Sequence, residues 1–134
     1  MLFRSGEFGG LGWPAVGTLP PPLRVKGRRP ENTTIAIVAT DAMLTKAQCK
    51  RLAVMAHDGL AQSLRPSHAV FDGDAVLFAA TGHAASANVP DLTAIGAAAA
   101  ECLARAVARA VYEATALPFP EALPSWRDRF SGRG

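Results

Sequence analysis

The run Thr33-Thr34-Ile35-Ala36-Ile37-Val38-Ala39-Thr40 constrains this chain more than any other stretch. It is β-branched or apolar almost throughout and is followed by Asp41, which is the pattern of a strand buried on both faces. A second run, Ala75-Val76-Leu77-Phe78-Ala79-Ala80-Thr81, ends at Gly82 and reads the same way. Such strands need cover above and below, and two of them do not make a stable sheet. Either further strands escape the pattern or the chain is part of a larger fold.

Helices separate and follow the strands. Thr45-Lys46-Ala47-Gln48 is a capping-box pattern, in which the Thr hydroxyl and the Gln side chain each satisfy a free backbone N–H. Leu52, Met55, Ala56, Gly59, Leu60 and Leu64 then keep the three-and-four spacing of one helix face, and Pro66 predicts a stop after Arg65. Phe71-Asp72-Gly73-Asp74 reads as a turn using the positive φ that Asp-Gly tolerates, and residues 83–90 as a loop. Asp91 is expected to cap a long helix with an apolar stripe of Leu92, Ile95, Ala99, Cys102, Leu103, Ala106, Ala110 and Val111. The order strand, helix, strand, helix implies an α/β or α+β layer.

At 134 residues the length suits one domain, and 49% hydrophobic content argues against wholesale disorder. Residues 1–32 hold 11 of the 22 Gly and Pro residues, including Pro20-Pro21-Pro22, and read as an extended leader. Residues 33–134 are the body, with an irregular, Pro-rich tail from about 118. The leader carries five basic and two acidic side chains, whereas the body carries nine of each. No basic field therefore covers the body, which argues against a nucleic-acid partner. Cys49 and Cys102 form no CxxC pair and read as small core residues in a reducing compartment. The start lacks a signal-peptide apolar run, and Glu101, Arg105 and Arg109 interrupt the Ala-rich stretch. A cytoplasmic protein without membrane contact is the expectation.

Chemistry enters at Asn32-Thr33-Thr34. If the Asn32–Thr33 bond is broken, Thr33 gains a free α-amine beside its own hydroxyl. An α-amine titrates near pH ~7.7–8 and can take the hydroxyl proton at neutral pH, so one residue supplies nucleophile and base. The strand that follows would hold both groups rigidly.

The stretch NTTIAIVATDAMLTKAQCKRLAVMAHDGLAQSLRP, followed by FDGDAVLFAATG, closely resembles the DmpA-like aminopeptidases, a family of L-aminopeptidase/D-esterases, β-peptidyl aminopeptidases and nylon-oligomer hydrolases. The resemblance runs over about 33–113. It implies an α-β-β-α sandwich of the N-terminal-nucleophile type, incomplete in this chain, and a precursor that cuts itself into a long α and a short β chain. Asn32 would end the α chain and Thr33 would begin the β chain as nucleophile. The family's two side chains about forty residues further on fall on Asp72 and Asp74, which lie 39 and 41 residues beyond Thr33. Flanking one glycine, both can point to one side of a turn, one holding the Thr33 ammonium and the other orienting its hydroxyl.

The resemblance further implies peptides, amino-acid amides or other linear amides as substrates, an α-chain partner, homo-oligomers, and no metal or cofactor. One departure stands out. The family's oxyanion-hole asparagine lies upstream of the nucleophile, and neither Asn32 nor Asn88 matches it. The chain is thus expected to be the β portion with a short remnant of the α chain. A non-catalytic fragment or interaction subunit needing a separate α chain is the alternative.

Other motifs carry less. His57, His68 and His83 match no zinc spacing and read as structural or surface residues. Gly9-Gly10-Leu11-Gly12 lacks the strand and helix of a nucleotide loop, and no GxSxG elbow occurs. Lys46, Lys50 and Arg51 read as the solvated face of a helix.

Overall fold

The computed structural model describes residues 33–70 and 72–130. The leader 1–32, with Asn32 and the glycine-rich pattern, and Phe71 lie outside them. Of the described residues, those up to Val107 form one compact unit and those from Ala108 another. Helix and strand are mixed: β1 (Ile35–Thr40), α1 (Lys46–Ser63), β2 (Ala75–Ala80), α2 (Val89–Glu113) and α3 (Trp126–Phe130).

The two strands are parallel, paired from Ile35↔Ala75 to Thr40↔Ala80. Parallel neighbours need a crossover, and α1 is that crossover. Both strands therefore begin at the same end of the unit. The Ala75 N–H extends the ladder by donating to the Thr34 carbonyl at 2.9 Å, so Thr33 sits one residue before the pairing.

The expectation of strands buried on both faces does not hold among the described residues. Ala36, Val38 and Phe78 pack towards the core, but Ile37 is 67% exposed and Leu77 58%. The side chains alternate across the sheet, and among the described residues helices cover one side only.

Helix α1 begins as its capping box predicts. Gln48 N–H donates to Thr45 Oγ1 at 3.3 Å, and Thr45 N–H donates to Gln48 Oε1 at 2.7 Å. Leu52, Ala56, Gly59 and Leu60 are its buried residues, and Leu52 and Leu60 are fully enclosed. Burying a leucine side chain stabilises by about 1.5–3 kcal/mol, so these two anchor the helix on its neighbours. The core joins Ala56 and Leu60 of α1, Val76 of β2, and Ala99 and Leu103 of α2.

Two features of α2 differ from expectation. It starts at Val89, with Asn88 as cap: Asp91 N–H donates to Asn88 Oδ1 at 3.0 Å, and Asn88 N–H returns to Asp91 Oδ2 at 2.9 Å. Pro90 fits the first turn because no helical hydrogen bond is asked of its nitrogen. The buried face is Gly96, Ala99, Ala100, Leu103 and Ala104, a smaller-residue face than the predicted stripe. Cys102 and Ala106 instead line an apolar groove of about 390 Å³ with Ile37, Phe78 and Ile95. Cys102 is thus exposed and Cys49 half-buried, not core residues as expected.

In the second unit, the tail read as irregular contains α3. Ser125 and Asp128 cap it reciprocally, with Ser125 Oγ 2.7 Å from Asp128 Oδ2 and Asp128 N–H donating to Ser125 Oγ at 3.1 Å. The hydrogen bonds from the Ser125 hydroxyl, and then from its backbone N–H, hold the Asp128 carboxyl below its ordinary value. Trp126 lies 5.6 Å from the Tyr112 ring, over which the Arg127 guanidinium sits at 4.6 Å, and Arg127 pairs with Glu113. Among the described residues, no helix is long and apolar enough to cross a membrane.

Candidate active site

The parallel register brings the segment before β1 beside the segment before β2. Thr33 comes to lie against Gly73: a Cβ built on that glycine would fall 3.0 Å from Thr33 Oγ1 and 3.5 Å from Thr33 Cγ2. Gly73 therefore leaves room for a close approach that a Cβ would crowd. The turn reading assigned it a positive φ, but among the described glycines only Gly82 has one, at +73°. The neighbouring side chain, not the backbone angle, is what a Cβ would crowd here.

The two aspartates flanking Gly73 are fixed by different bonds. Asp74 Oδ1 accepts the Thr34 N–H at 2.9 Å, tying its carboxylate to the residue next to Thr33. Its side chain is only 6% exposed. Asp72 Oδ2 accepts the Ala69 N–H at 2.7 Å, while Asp72 N–H donates to the Ala69 carbonyl at 2.8 Å. That reciprocal pair closes the turn leading into β2. Thr33, Gly73 and Asp74 are thus brought together, and Asp72 occupies the same turn with its carboxylate engaged towards Ala69. Asn32, the expected cleavage partner, lies outside the described residues. Asn88 caps α2, beyond the other end of β2 from Thr33.

One neighbour escaped the sequence reading. His68 Nδ1 lies 3.7 Å from Asp74 Oδ2, and its ring centroid is 5.2 Å from that of His57 on α1. His68 adopts φ +56°, in the left-handed region. In the sequence it reads, with His57 and His83, as a structural or surface residue because it fits no zinc spacing. Among the described residues, no group of three or more His, Cys, Asp and Glu side chains could hold a metal ion.

A hydroxyl just before a parallel strand, a glycine that admits it, and a carboxylate bonded to the next amide form a compact hydroxyl–carboxylate arrangement on a β-α-β unit. The sequence pattern of Peptidase family S58 matches residues 8–122, and the chain belongs to that family. This bears out the resemblance to the DmpA-like aminopeptidases. The chain is 46% identical over 114 residues to a protein of Mycobacterium tuberculosis described as an uncharacterized aminopeptidase, across 77% of this chain and 32% of that protein. A Mycobacterium leprae protein of the same description is 45% identical over 112 residues, across 75% of this chain and 30% of its own length. The chain spans about a third of the length of these curated relatives.

Proposed function

We propose that this chain carries the nucleophile of a peptide or amide hydrolase of aminopeptidase type, with Thr33 as the attacking residue. The observation that supports the reading most directly is the placement of Thr33 Oγ1 against Gly73, next to an Asp74 carboxylate bonded to Thr34 N–H. Membership of a peptidase family and relatives named aminopeptidases support the reaction class.

The chemistry proceeds in two stages. Thr33 Oγ attacks the Asn32 carbonyl carbon, and the C–N bond to Thr33 breaks to leave an ester on the hydroxyl. The shift frees the Thr33 amine, and water then cleaves the ester, giving the Asn32 carboxylate and restoring the Thr33 hydroxyl. In turnover the amine takes the Oγ proton as Oγ attacks the substrate amide, then returns it to the departing amine. Water hydrolyses the acyl-enzyme and regenerates Thr33. In this reading Asp74, whose Oδ1 accepts the Thr34 N–H, holds the Thr33 ammonium, while Asp72 supports the turn and relays protons. The substrates are peptides, amino-acid amides or other linear amides, and no step calls on a metal or cofactor.

The wider fold in this reading is the α-β-β-α sandwich of N-terminal nucleophile hydrolases, with the exposed sheet face of Ile37 and Leu77 lying against a second layer. An α-chain portion supplies that layer and the oxyanion donor, in a cytoplasmic homo-oligomer. The second reading is a non-catalytic fragment or interaction subunit that needs a separate α chain.

Intact-mass measurement separates the two. Two fragments meeting between Asn32 and Thr33, absent in Thr33→Ala, are expected for the nucleophile. A single uncut mass that persists when an S58 α portion is co-expressed would sink it.

A further inference from the structure

The geometry points to His68 as a positioning residue for this site: its Nδ1 faces Oδ2 of Asp74 and steers that carboxylate beside Thr33. The inference rests on the reading of Thr33 as nucleophile. Asp74 has two oxygens to place. Oδ1 is fixed by Thr34 N–H at 2.9 Å, and the orientation of the carboxylate depends on what meets Oδ2 as well. His68 Nδ1 stands 3.7 Å from Oδ2. That separation is an ion-pair distance and longer than a direct hydrogen bond, so the imidazole acts by aiming an N–H dipole or charge at the oxygen.

The backbone supports a purpose for the side chain. A non-glycine residue at φ +56° is in an uncommon conformation, kept only where its surroundings hold it. Here the conformation turns the imidazole towards Asp74, and the His57 ring of α1 braces it at a centroid distance of 5.2 Å. The Asp74 side chain is 6% exposed against 42% for His68, so the histidine lies on the solvent side of a nearly enclosed carboxylate. A residue needed only to make the turn would be better as glycine, which visits the left-handed region without a Cβ penalty.

That contrast supplies the test. Full-length wild type, His68→Gly and His68→Asn are compared by amide hydrogen exchange. Thr34 N–H reports whether Asp74 is held, and Ala75 N–H, bonded to the Thr34 carbonyl, reports whether the strands stay paired. Glycine suits the turn but removes the imidazole. Asparagine suits the turn and keeps an N–H donor near the Nδ1 position. Exchange at Thr34 is expected to quicken about threefold or more in His68→Gly, with Ala75 unchanged, and to return towards wild type in His68→Asn.

Cleavage between Asn32 and Thr33, followed by intact mass in the same samples, should slow and recover in parallel. Unchanged exchange at Thr34 in His68→Gly overturns the inference. So does failure of His68→Asn to restore it, or an equal rise at Ala75, which would mean lost strand pairing. If wild type is never cleaved, even with an S58 α portion co-expressed, the proposed hydrolase falls while the exchange comparison still decides the role of His68. If wild type is cleaved and exchange ignores His68, only the His68 inference falls.

Discussion

Gly73 and Thr33 compete for the same space. A methyl group at residue 73 would press on Thr33 Oγ1 at 3.0 Å, and the threonine would have to move by a few tenths of an ångström. Since no positive φ is involved, Gly73→Ala leaves the backbone conformation accessible and tests the close approach alone. It should slow cleavage at Asn32–Thr33 by about tenfold, because small displacements of a nucleophile are costly. A time course of intact mass at unchanged circular dichroism measures this; equal rates in both proteins would remove Gly73 from the site.

At the other end of the chain, Asp128 makes a pH prediction. Its folded-state carboxyl is held below the ordinary value of 3.8 by Ser125, so the cap is favoured when the carboxylate is charged. The stabilisation is present above the unfolded-state value and is lost as pH falls through the lower folded one. The Ser125 amide resonance should therefore hold steady down to about pH 4 and move only below it. Movement centred above pH 4 would contradict the cap.

Between helices α1 and α2, Gly59 permits a backbone-close approach. A Cβ on Gly59 would collide with the Ala100 carbonyl and lie 2.9 Å from Leu103 Cβ. Gly59→Ala would gain about 1 kcal/mol of helix propensity. Forcing the helices apart costs about 1–3 kcal/mol, and the Ala100 carbonyl is backbone that cannot swing aside. The overlap wins, and the midpoint of urea unfolding should fall. An unchanged or raised midpoint would show that the helices yield freely.

The same small-residue packing explains what the sequence could and could not tell. Helix α1 was readable because its cap and its leucines select one face. Helix α2 was readable as a helix, but alanine lies on all its sides, so hydrophobicity does not say which side faces α1. Its start was misread because Pro90 resembles the end of a loop, although proline is at home in a first turn. The strands were readable, but their cover was not, since apolar residues on both faces do not say which elements meet them. Thr33 and the two aspartates followed from a motif. The fit of Gly73 and the approach of His68 depend on strand register and on a left-handed residue, neither of which has a sequence signature.

At the scale of the molecule, the sheet face left exposed among the described residues is the main physical liability. Ile35, Ile37 and Leu77 are exposed side by side on paired strands, and apolar patches of that kind drive association. At micromolar concentration the full chain should sediment as species heavier than one copy, and Ile37→Lys with Leu77→Lys should shift it towards a monomer. A chain that is monomeric before substitution would show that this face is covered by other means.

The parallel pairing of β1 and β2 also bears on how such a site passes between genes. Hydroxyl, glycine and both carboxylates lie within residues 33–74, and their relative positions are set by strand register and not by the length of the connecting loops. Recombination that moves the β1–α1–β2 segment as one block transmits the whole arrangement. A breakpoint inside α1 divides it, leaving a hydroxyl in one descendant and its carboxylates in the other.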